Sequence, residues 1–210
     1  MRIKFIRDIE KKIKGSINRL ILRQTNFSII SNNCWGTFIY KKFNLQYHSP
    51  FVNLFIFSED YLELLENFTP QLIESIRFIE HKNSKYIDRL KEQGLFGQPY
   101  PIGVIGDAIE VHFQHYKDKE DAKRKWEDRV KRINYNKLLF KFSDSLTASD
   151  DMIRQFDKLP YKNKICFTAK PFSDCESVIH LPKFFAIGKV RDEWKHSEKE
   201  YNLSALLNTL

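Results

Sequence analysis

The chain has 210 residues, of which 42% are hydrophobic and 14% aromatic, a composition typical of one globular domain and not of a disordered chain. No apolar run approaches the roughly 18 residues of a membrane-spanning helix. The three cysteines are widely spaced and form no Cys-x-x-Cys pair, which argues against a disulfide framework and a zinc site. Because the charged N-terminus lacks the apolar region of a signal peptide, we expect a cytoplasmic protein.

The net charge of +8 is concentrated at the start of the chain. Residues 1–24 contain eight Lys or Arg and two Asp or Glu, which gives +6, and the body is nearly neutral. Apolar residues recur there at helical spacing and predict a basic amphipathic helix over 1–24: Ile6, Ile9, Ile13, Ile17, Leu20 and Ile21. Such a helix can lie on an anionic membrane surface or dock on the domain. The neutral body argues against a nucleic acid partner.

Strand-like and helix-like segments alternate over the remaining residues, 25–210. Apolar or alternating runs typical of strands lie at 26–31, 52–57, 102–105, 109–116, 138–142, 165–168 and 178–181. Helices are predicted at 59–67, 70–79, 119–133 and 149–159, the third capped by Asp118. This order predicts an α/β fold, a single domain with a mainly parallel, Rossmann-like sheet flanked by helices. Ligands bind such sheets at the carboxyl ends of the strands.

The loop after the first predicted strand contains Asn32, Asn33, Cys34, Trp35 and Gly36. Asparagine amides can hydrogen-bond a nucleotide or sugar, Trp35 can stack on it, and Gly36 permits close approach of the backbone. The alternative is a structural turn with Trp35 in the core, because neither GxGxxG nor a Walker motif is present. Cys34 could also act as the nucleophile of an acyl transfer, or be a small buried cysteine.

The stretch GDAIEVHFQHY, residues 106–116, supplies candidate bases for catalysis. Asp107, Glu110, His112 and His115 combine carboxylates with imidazoles, which can deprotonate an acceptor hydroxyl. Glu110 and His112 share one face of an alternating strand, so an ordinary solvated sheet face is the alternative. Neither Asp-x-Asp nor His-x-x-x-His occurs, so no metal is predicted and the cofactor is left open.

The helix that follows carries a basic run, KRKWEDRVKR, at residues 123–132. Arg124, Arg129 and Arg132 could clamp a diphosphate, since guanidinium groups bind phosphate oxygens in pairs, and Arg129 and Arg132 are the two that we expect to bind it. A charge run on a helix is otherwise an ordinary solvated surface.

Several stretches together resemble a family of bacterial proteins that carry a domain of unknown function and are found in exopolysaccharide and capsule biosynthesis loci. They occur in the order SIISNNCWGTFIY, YHSPFVNLFI, YPIGVIGDAIEVHFQHYKDKEDAKRKWEDRVKRIN and FDKLPYKNKICFT, within about residues 25–170. The motifs that carry the resemblance are Asn33-Cys34-Trp35-Gly36, Ser49-Pro50, His112-x-x-His115-Tyr116 and Trp126-x-x-Arg129-x-x-Arg132.

The resemblance implies cell-surface polysaccharide assembly from nucleotide-activated sugars on a lipid carrier. We therefore expect a glycosyltransferase at the inner face of the membrane, with a nucleotide sugar as donor and a lipid-linked saccharide as acceptor. In this interpretation the loop 32–36 holds the donor, Arg129 and Arg132 bind its diphosphate, and residues 1–24 contact the membrane. An acyl- or phospho-transferase that decorates the polysaccharide, and a non-enzymatic sugar-binding or assembly protein, are the alternatives.

Overall fold

The structure is a computed structural model that describes residues 2–145 and 148–210, with side chains described from residue 10 onward. The α-helices of this part are α1 (Arg2–Arg19), α2 (Trp35–Lys42), α3 (Ser58–Glu66), α4 (Pro70–Glu74), α5 (Ile87–Glu92), α6 (Lys119–Val130), α7 (Asp150–Lys158) and α8 (Leu203–Leu207). The strands are β1 (Ser28–Ser31), β2 (Arg77–Ile79), β3 (Ile102–Ile105), β4 (Ile109–His112), β5 (Leu138–Ser143), β6 (Lys164–Thr168) and β7 (Val178–His180).

A four-stranded parallel sheet in the order β1-β5-β6-β7 forms the centre of the molecule. Its register places Lys141 opposite both Ser31 and Ile165, so the carboxyl ends of β1, β5 and β6 lie side by side. The prediction of a mixed α/β domain with a mainly parallel sheet is therefore confirmed. The capping prediction is confirmed too, because the Asp118 carboxylate accepts a hydrogen bond from the Asp121 amide (2.8 Å) at the start of α6.

A second, antiparallel sheet in the order β2-β3-β4 was not expected from the sequence. The helix predicted over 70–79 ends at Glu74, and residues 77–79 instead pair with β3. The strand is favoured over the helix because it lets Ile76 and its neighbours pack against Gly103. This packing needs a glycine at position 103, since a Cβ there would lie 2.5 Å from Ile76 Cδ1. The predicted strand at 52–57 is also wrong, since only Phe55 forms a bridge, to His112.

Both faces of the parallel sheet are covered, as the apolar strands require. Successive side chains of a strand point to opposite faces, and β5 accordingly sends Phe140 and Phe142 into one buried cluster and Leu139 into another. The first cluster lies under α3, α6, α7 and the antiparallel sheet, and the second under α2, α8 and the C-terminal segment.

Within the segment 1–24, for which we predicted a helix, the structure has a shorter helix, α1, which ends at Arg19 and contacts α2. The side chains of Ile6 and Ile9, which we placed on its apolar face, lie outside the residues whose side chains are described. In the part of the chain that is described, no helix combines the length and the apolar character needed to cross a bilayer.

Candidate functional site

The loop between β1 and α2 is fixed by its own side chains at the carboxyl end of the parallel sheet. Asn33 Oδ1 accepts a hydrogen bond from the Trp35 amide (3.0 Å), which satisfies a free donor at the start of α2. A Cβ at Gly36 would lie 3.1 Å from Ile29 Cγ2, so the glycine lets α2 pack closely on β1. The Trp35 indole is fully buried and packs against Phe167. It belongs to the core, as in the structural alternative, and leaves Asn33 and Cys34 as the partly exposed residues of the loop.

A buried ion pair lies at the same carboxyl end of the sheet, beside the loop. The Lys141 ammonium donates to the Glu193 carboxylate, to Asn33 Oδ1 (3.0 Å) and to Ser143 Oγ (3.2 Å). Asn33 Nδ2 donates to the same Glu193 oxygen (2.7 Å). Both charged side chains are at most 1% exposed. Burial lowers the pKa of Lys141, and the neighbouring Glu193 opposes that shift.

Asp144 binds the C-terminal segment over the same edge. Its two carboxylate oxygens accept hydrogen bonds from the amides of Ala169 (2.6 Å) and Val190 (2.7 Å). Burial raises the pKa of Asp144, and these two backbone hydrogen bonds oppose the shift. The segment that carries Glu193 is therefore anchored to the end of β5 at Val190 as well as through the ion pair.

Cys34 lies beside the ion pair but is poorly suited to be a nucleophile. Its thiol faces the Leu54 carbonyl, with Sγ 3.7 Å from the oxygen. Burial raises the pKa of Cys34 to about 11, and the Glu193 charge adds to the increase. Because the thiolate is the reactive form, a cysteine with this pKa is almost entirely inert at neutral pH.

Two arginines and two tyrosines form a cationic group next to the loop. Arg129, at the end of α6, donates to the Tyr116 hydroxyl (2.5 Å), and its guanidinium lies over the Tyr47 ring at 5.0 Å. Arg132 donates to the Tyr47 carbonyl (3.2 Å). Burial raises the pKa of Tyr116 to about 12, Arg129 opposes the shift, and Cys34 adds a small further increase. The Tyr116 hydroxyl donates to the Val52 carbonyl (2.7 Å), two residues before the Leu54 carbonyl that Cys34 faces, so the loop and the arginines belong to one region.

The Arg129 side chain has an unusual charge environment. The residue is only 7% exposed, yet among the described residues no carboxylate forms an ion pair with it. Its described polar partner is the neutral Tyr116 hydroxyl, and its other contacts are the faces of Tyr47 and Tyr116. A buried cation is normally paired, since burial without a counter-charge is costly.

Glu110 and His112 are buried on the face of the antiparallel sheet that points away from the cluster containing Ile109 and Val111. The alternation of β4 allowed these two residues to form a solvated face of the sheet. Neither faces solvent, because residues 55–57, 60 and 84–86 cover them. The Glu110 carboxylate accepts from Ser84 Oγ (2.6 Å) and the Lys85 amide (2.7 Å), so both of its oxygens have partners. The His112 ring stacks on Phe55 at 4.4 Å.

The protonation state of His112 follows from this burial. Desolvation lowers the pKa of His112 to about 3, with a smaller contribution from the neighbouring His81. Its Nε2 is 3.7 Å from the Glu110 carboxylate and has no hydrogen-bond partner. The imidazole is therefore neutral at physiological pH and inaccessible to a substrate in this conformation.

Asp107 and His115 are both exposed, but the structure does not bring them together. Asp107 lies in the β3–β4 turn, where its carbonyl accepts from Arg77 Nη2 (2.7 Å). His115 follows β4 and lines a surface cleft of about 360 Å³ together with Tyr100 and Gln114. The two residues lie at opposite ends of β4, and a strand rises by about 3.3 Å per residue, so the full length of β4 separates them.

The structure thus divides the predicted site residues. Asn32, Asn33 and Cys34 lie at the sheet edge, Arg129 and Arg132 lie beside them, Glu110 and His112 lie in the core, and Asp107 and His115 lie apart on the surface. Sequence reasoning missed Tyr47, Lys141 and Glu193. Only Lys141 left a signal, since it is the one charged residue of the apolar strand LLFKFS. Among the described residues, no group of three or more His, Cys, Asp or Glu is placed to hold a metal ion.

Comparison with known proteins assigns the chain to a family. Residues 5–208 match the family described as Domain of unknown function (DUF1919). The chain belongs to the DUF1919 family. A protein of Haemophilus influenzae (strain ATCC 51907 / DSM 11121 / KW20 / Rd), described as an uncharacterized protein, is 31% identical over 192 residues, which cover 90% of this chain and 85% of that protein. The DUF1919 match includes both the sheet-edge loop and the Glu193 segment that closes it.

Proposed function

We propose that this DUF1919 protein is a glycosyltransferase of bacterial cell-surface polysaccharide biosynthesis, which moves a sugar from a nucleotide-sugar donor to a lipid-linked acceptor on the cytoplasmic side. The observation that carries the proposal is the buried Arg129 guanidinium, for which the described residues supply no counter-charge. An anionic ligand would supply that charge, and the diphosphate of a nucleotide sugar is such an anion.

The surroundings of Arg129 favour a diphosphate over a single carboxylate. Arg132 adds a second guanidinium held at the same tyrosine, Tyr47, and two cations can share the charge that develops on a leaving diphosphate. Asn33, partly exposed at the end of β1, lies in the same region, where its side chain fixes the loop through its hydrogen bonds to Trp35, Lys141 and Glu193. In this proposal the parallel sheet works as a Rossmann-like unit, with the donor at the carboxyl ends of its strands.

The exposed His115 is the proposed base for the acceptor hydroxyl. It directly precedes Tyr116, whose hydroxyl binds Arg129, and it lines an open cleft that an acceptor could enter. Glu110 and His112 support this base from the core by fixing the end of β4. Asp107, at the far end of β4, would contact the acceptor only if the acceptor extends along the strand.

The place in polysaccharide biosynthesis rests on the resemblance of the loop, strand and helix motifs described above. The raised pKa of Cys34 counts against acyl transfer through a cysteine thiolate. A sugar-binding protein without turnover would use the same anion site. An assay for release of the nucleoside diphosphate distinguishes the transferase from such a binding protein.

A thermal-shift screen tests the proposal with nucleotide sugars, nucleoside diphosphates, acyl-CoA and divalent ions. A ligand that binds only the folded state at about 100 times its Kd stabilises it by about 2.7 kcal/mol, and about 1 kcal/mol corresponds to 2–4 °C at this chain length. We expect a shift of about 5–10 °C with one nucleotide sugar. The shift should disappear in Arg129→Gln and persist in Arg124→Gln, a control on the same helix whose arginine is exposed and paired with Asp121.

Three results would overturn the proposal. The first is silence across the panel with folded protein, and the second is a shift with acyl-CoA alone. The third is a nucleotide-sugar shift that survives in Arg129→Gln. The unfolding midpoint of each variant without ligand separates a loss of stability in Arg129→Gln, which gives up the hydrogen bond to Tyr116, from a loss of the ligand shift.

A further inference from the structure

The N-terminal helix α1 contacts the rest of the protein through its small and polar residues. A Cβ at Gly15 would lie 2.9 Å from Asn44 Cβ, so the glycine allows a close approach of the two segments. Asn44 Nδ2 donates to Ser16 Oγ (3.1 Å), and Asn18 Nδ2 donates to the Lys42 carbonyl (3.1 Å). These contacts of the described side chains orient α1 by hydrogen bonds and a close approach at Gly15.

Four apolar residues of this segment are exposed to solvent. Ile13, Ile17, Leu20 and Ile21 are 57%, 60%, 83% and 56% exposed, respectively. Ile13 and Ile17 lie four residues apart on one side of α1, and Leu20 and Ile21 follow in the turn after its last residue, Arg19. Of the apolar stripe predicted for this segment, these four side chains are not docked on the domain.

Basic side chains flank this exposed apolar stripe. Lys11, Lys12, Lys14, Arg19 and Arg23 are exposed, and in the described part of the chain no carboxylate forms an ion pair with any of them. Residues 1–24 carry +6 of the protein's total of +8. The apolar stripe and these five basic residues are called the α1 surface below.

We infer that the α1 surface docks on an anionic lipid bilayer. A stripe of aliphatic side chains with basic neighbours is the pattern of helices that lie in the membrane interface, where the side chains enter the acyl boundary and the cations meet the head groups. A second copy of the chain fits less well, because it would bring together two segments of +6. Four large apolar side chains are also few for a stable dimer, which buries about 800 Å² per partner.

Vesicle sedimentation tests the inference on the full chain without any substrate. We expect binding to phosphatidylcholine vesicles that contain about 30% phosphatidylglycerol, little binding to pure phosphatidylcholine, and weaker binding as salt rises. Ile17→Ser combined with Leu20→Ser should weaken the partition at least tenfold. Lys11→Gln, Lys12→Gln and Lys14→Gln together should weaken it about a hundredfold, at about fivefold for each charge lost near the surface.

The matched control is Phe185→Ser combined with Ile187→Ser, which removes two exposed apolar side chains from another part of the surface. It should bind vesicles as the unaltered protein does. Equal binding to both lipids, no binding to either, or binding that survives in the α1 variants would overturn the inference. So would a dimer in light scattering that the Ile17→Ser, Leu20→Ser variant converts to a monomer. Because the readout is lipid binding, a failure here leaves the proposed transferase activity open.

Discussion

Acidification should destabilise the protein through His112, a residue that the sequence placed among the candidate bases. The ring is completely buried, and desolvation lowers its pKa from 6.5 to about 3. The unfolded chain therefore takes up a proton at this position well before the folded protein does. The stability that the neutral imidazole contributes is complete above pH 6.5 and is lost progressively as the pH falls towards 3.

The size of the effect follows from the two pKa values. His112 has a pKa of 6.5 in the unfolded chain and about 3 in the folded protein. Between pH 7 and pH 5 this difference in proton binding lowers the free energy of unfolding by about 2 kcal/mol. At this chain length that corresponds to a decrease of about 4–8 °C in the unfolding midpoint. Urea unfolding at pH 7, 6 and 5 measures the loss directly.

The comparison of two histidine variants isolates this contribution. His112→Gln removes the titrating group and should be less stable at pH 7, because a packed ring is lost, but its stability should fall by about 2 kcal/mol less between pH 7 and pH 5. His115→Gln, in which the exposed neighbour is replaced, should keep the pH dependence of the unaltered protein. If all three proteins lose stability in parallel, His112 is not a buried neutral histidine and the reasoning is refuted.

Two further predictions concern the sheet edge. Glu193→Gln leaves Lys141 buried without a full counter-charge and should lower the free energy of unfolding in urea by up to about 3–5 kcal/mol. Replacing both residues by Met should be neutral or stabilising by about 1–4 kcal/mol. Equal losses of stability in the single and double variants would argue against the ion pair. Cys34, with its pKa raised from 9.0 to about 11, should have about a hundredfold less thiolate at pH 8 than an ordinary thiol. Site-resolved mass spectrometry of alkylation measures this, and rapid modification of Cys34 would restore it as a candidate nucleophile.

The parallel sheet could be predicted from the sequence because its strands are apolar on both faces. Runs such as the one around Ile29 and the one around Phe140 read as buried strands, and the helices between them require crossovers of the βαβ kind. The antiparallel sheet could not be predicted in the same way. Residues 77–79 continue an apolar pattern that is compatible with a helix, and only pairing with a segment 25 positions later decides for a strand.

The candidate site, like the fold, could be predicted from the sequence only in part. The Asn-Asn-Cys loop follows a strand in the sequence, so its place at the sheet edge could be predicted from the chain order. The partner of Lys141 lies 52 residues away in an irregular segment, where no local pattern identifies Glu193. The alternation of Glu110 and His112 indicated an exposed face, but Asp60 and its neighbours cover it from elsewhere in the chain, with Asp60 accepting from the Glu110 amide (2.6 Å).

The most direct test of the account is calorimetric titration of a nucleoside diphosphate into the protein and two arginine variants. A charge-assisted hydrogen bond contributes about 1.5–3 kcal/mol, so Arg129→Gln should raise the Kd by about 10- to 150-fold. Arg124→Gln, with the same loss of charge on the exposed side of α6, should leave the Kd within about twofold. Equal affinity of all three proteins for the diphosphate would contradict an anion site at Arg129.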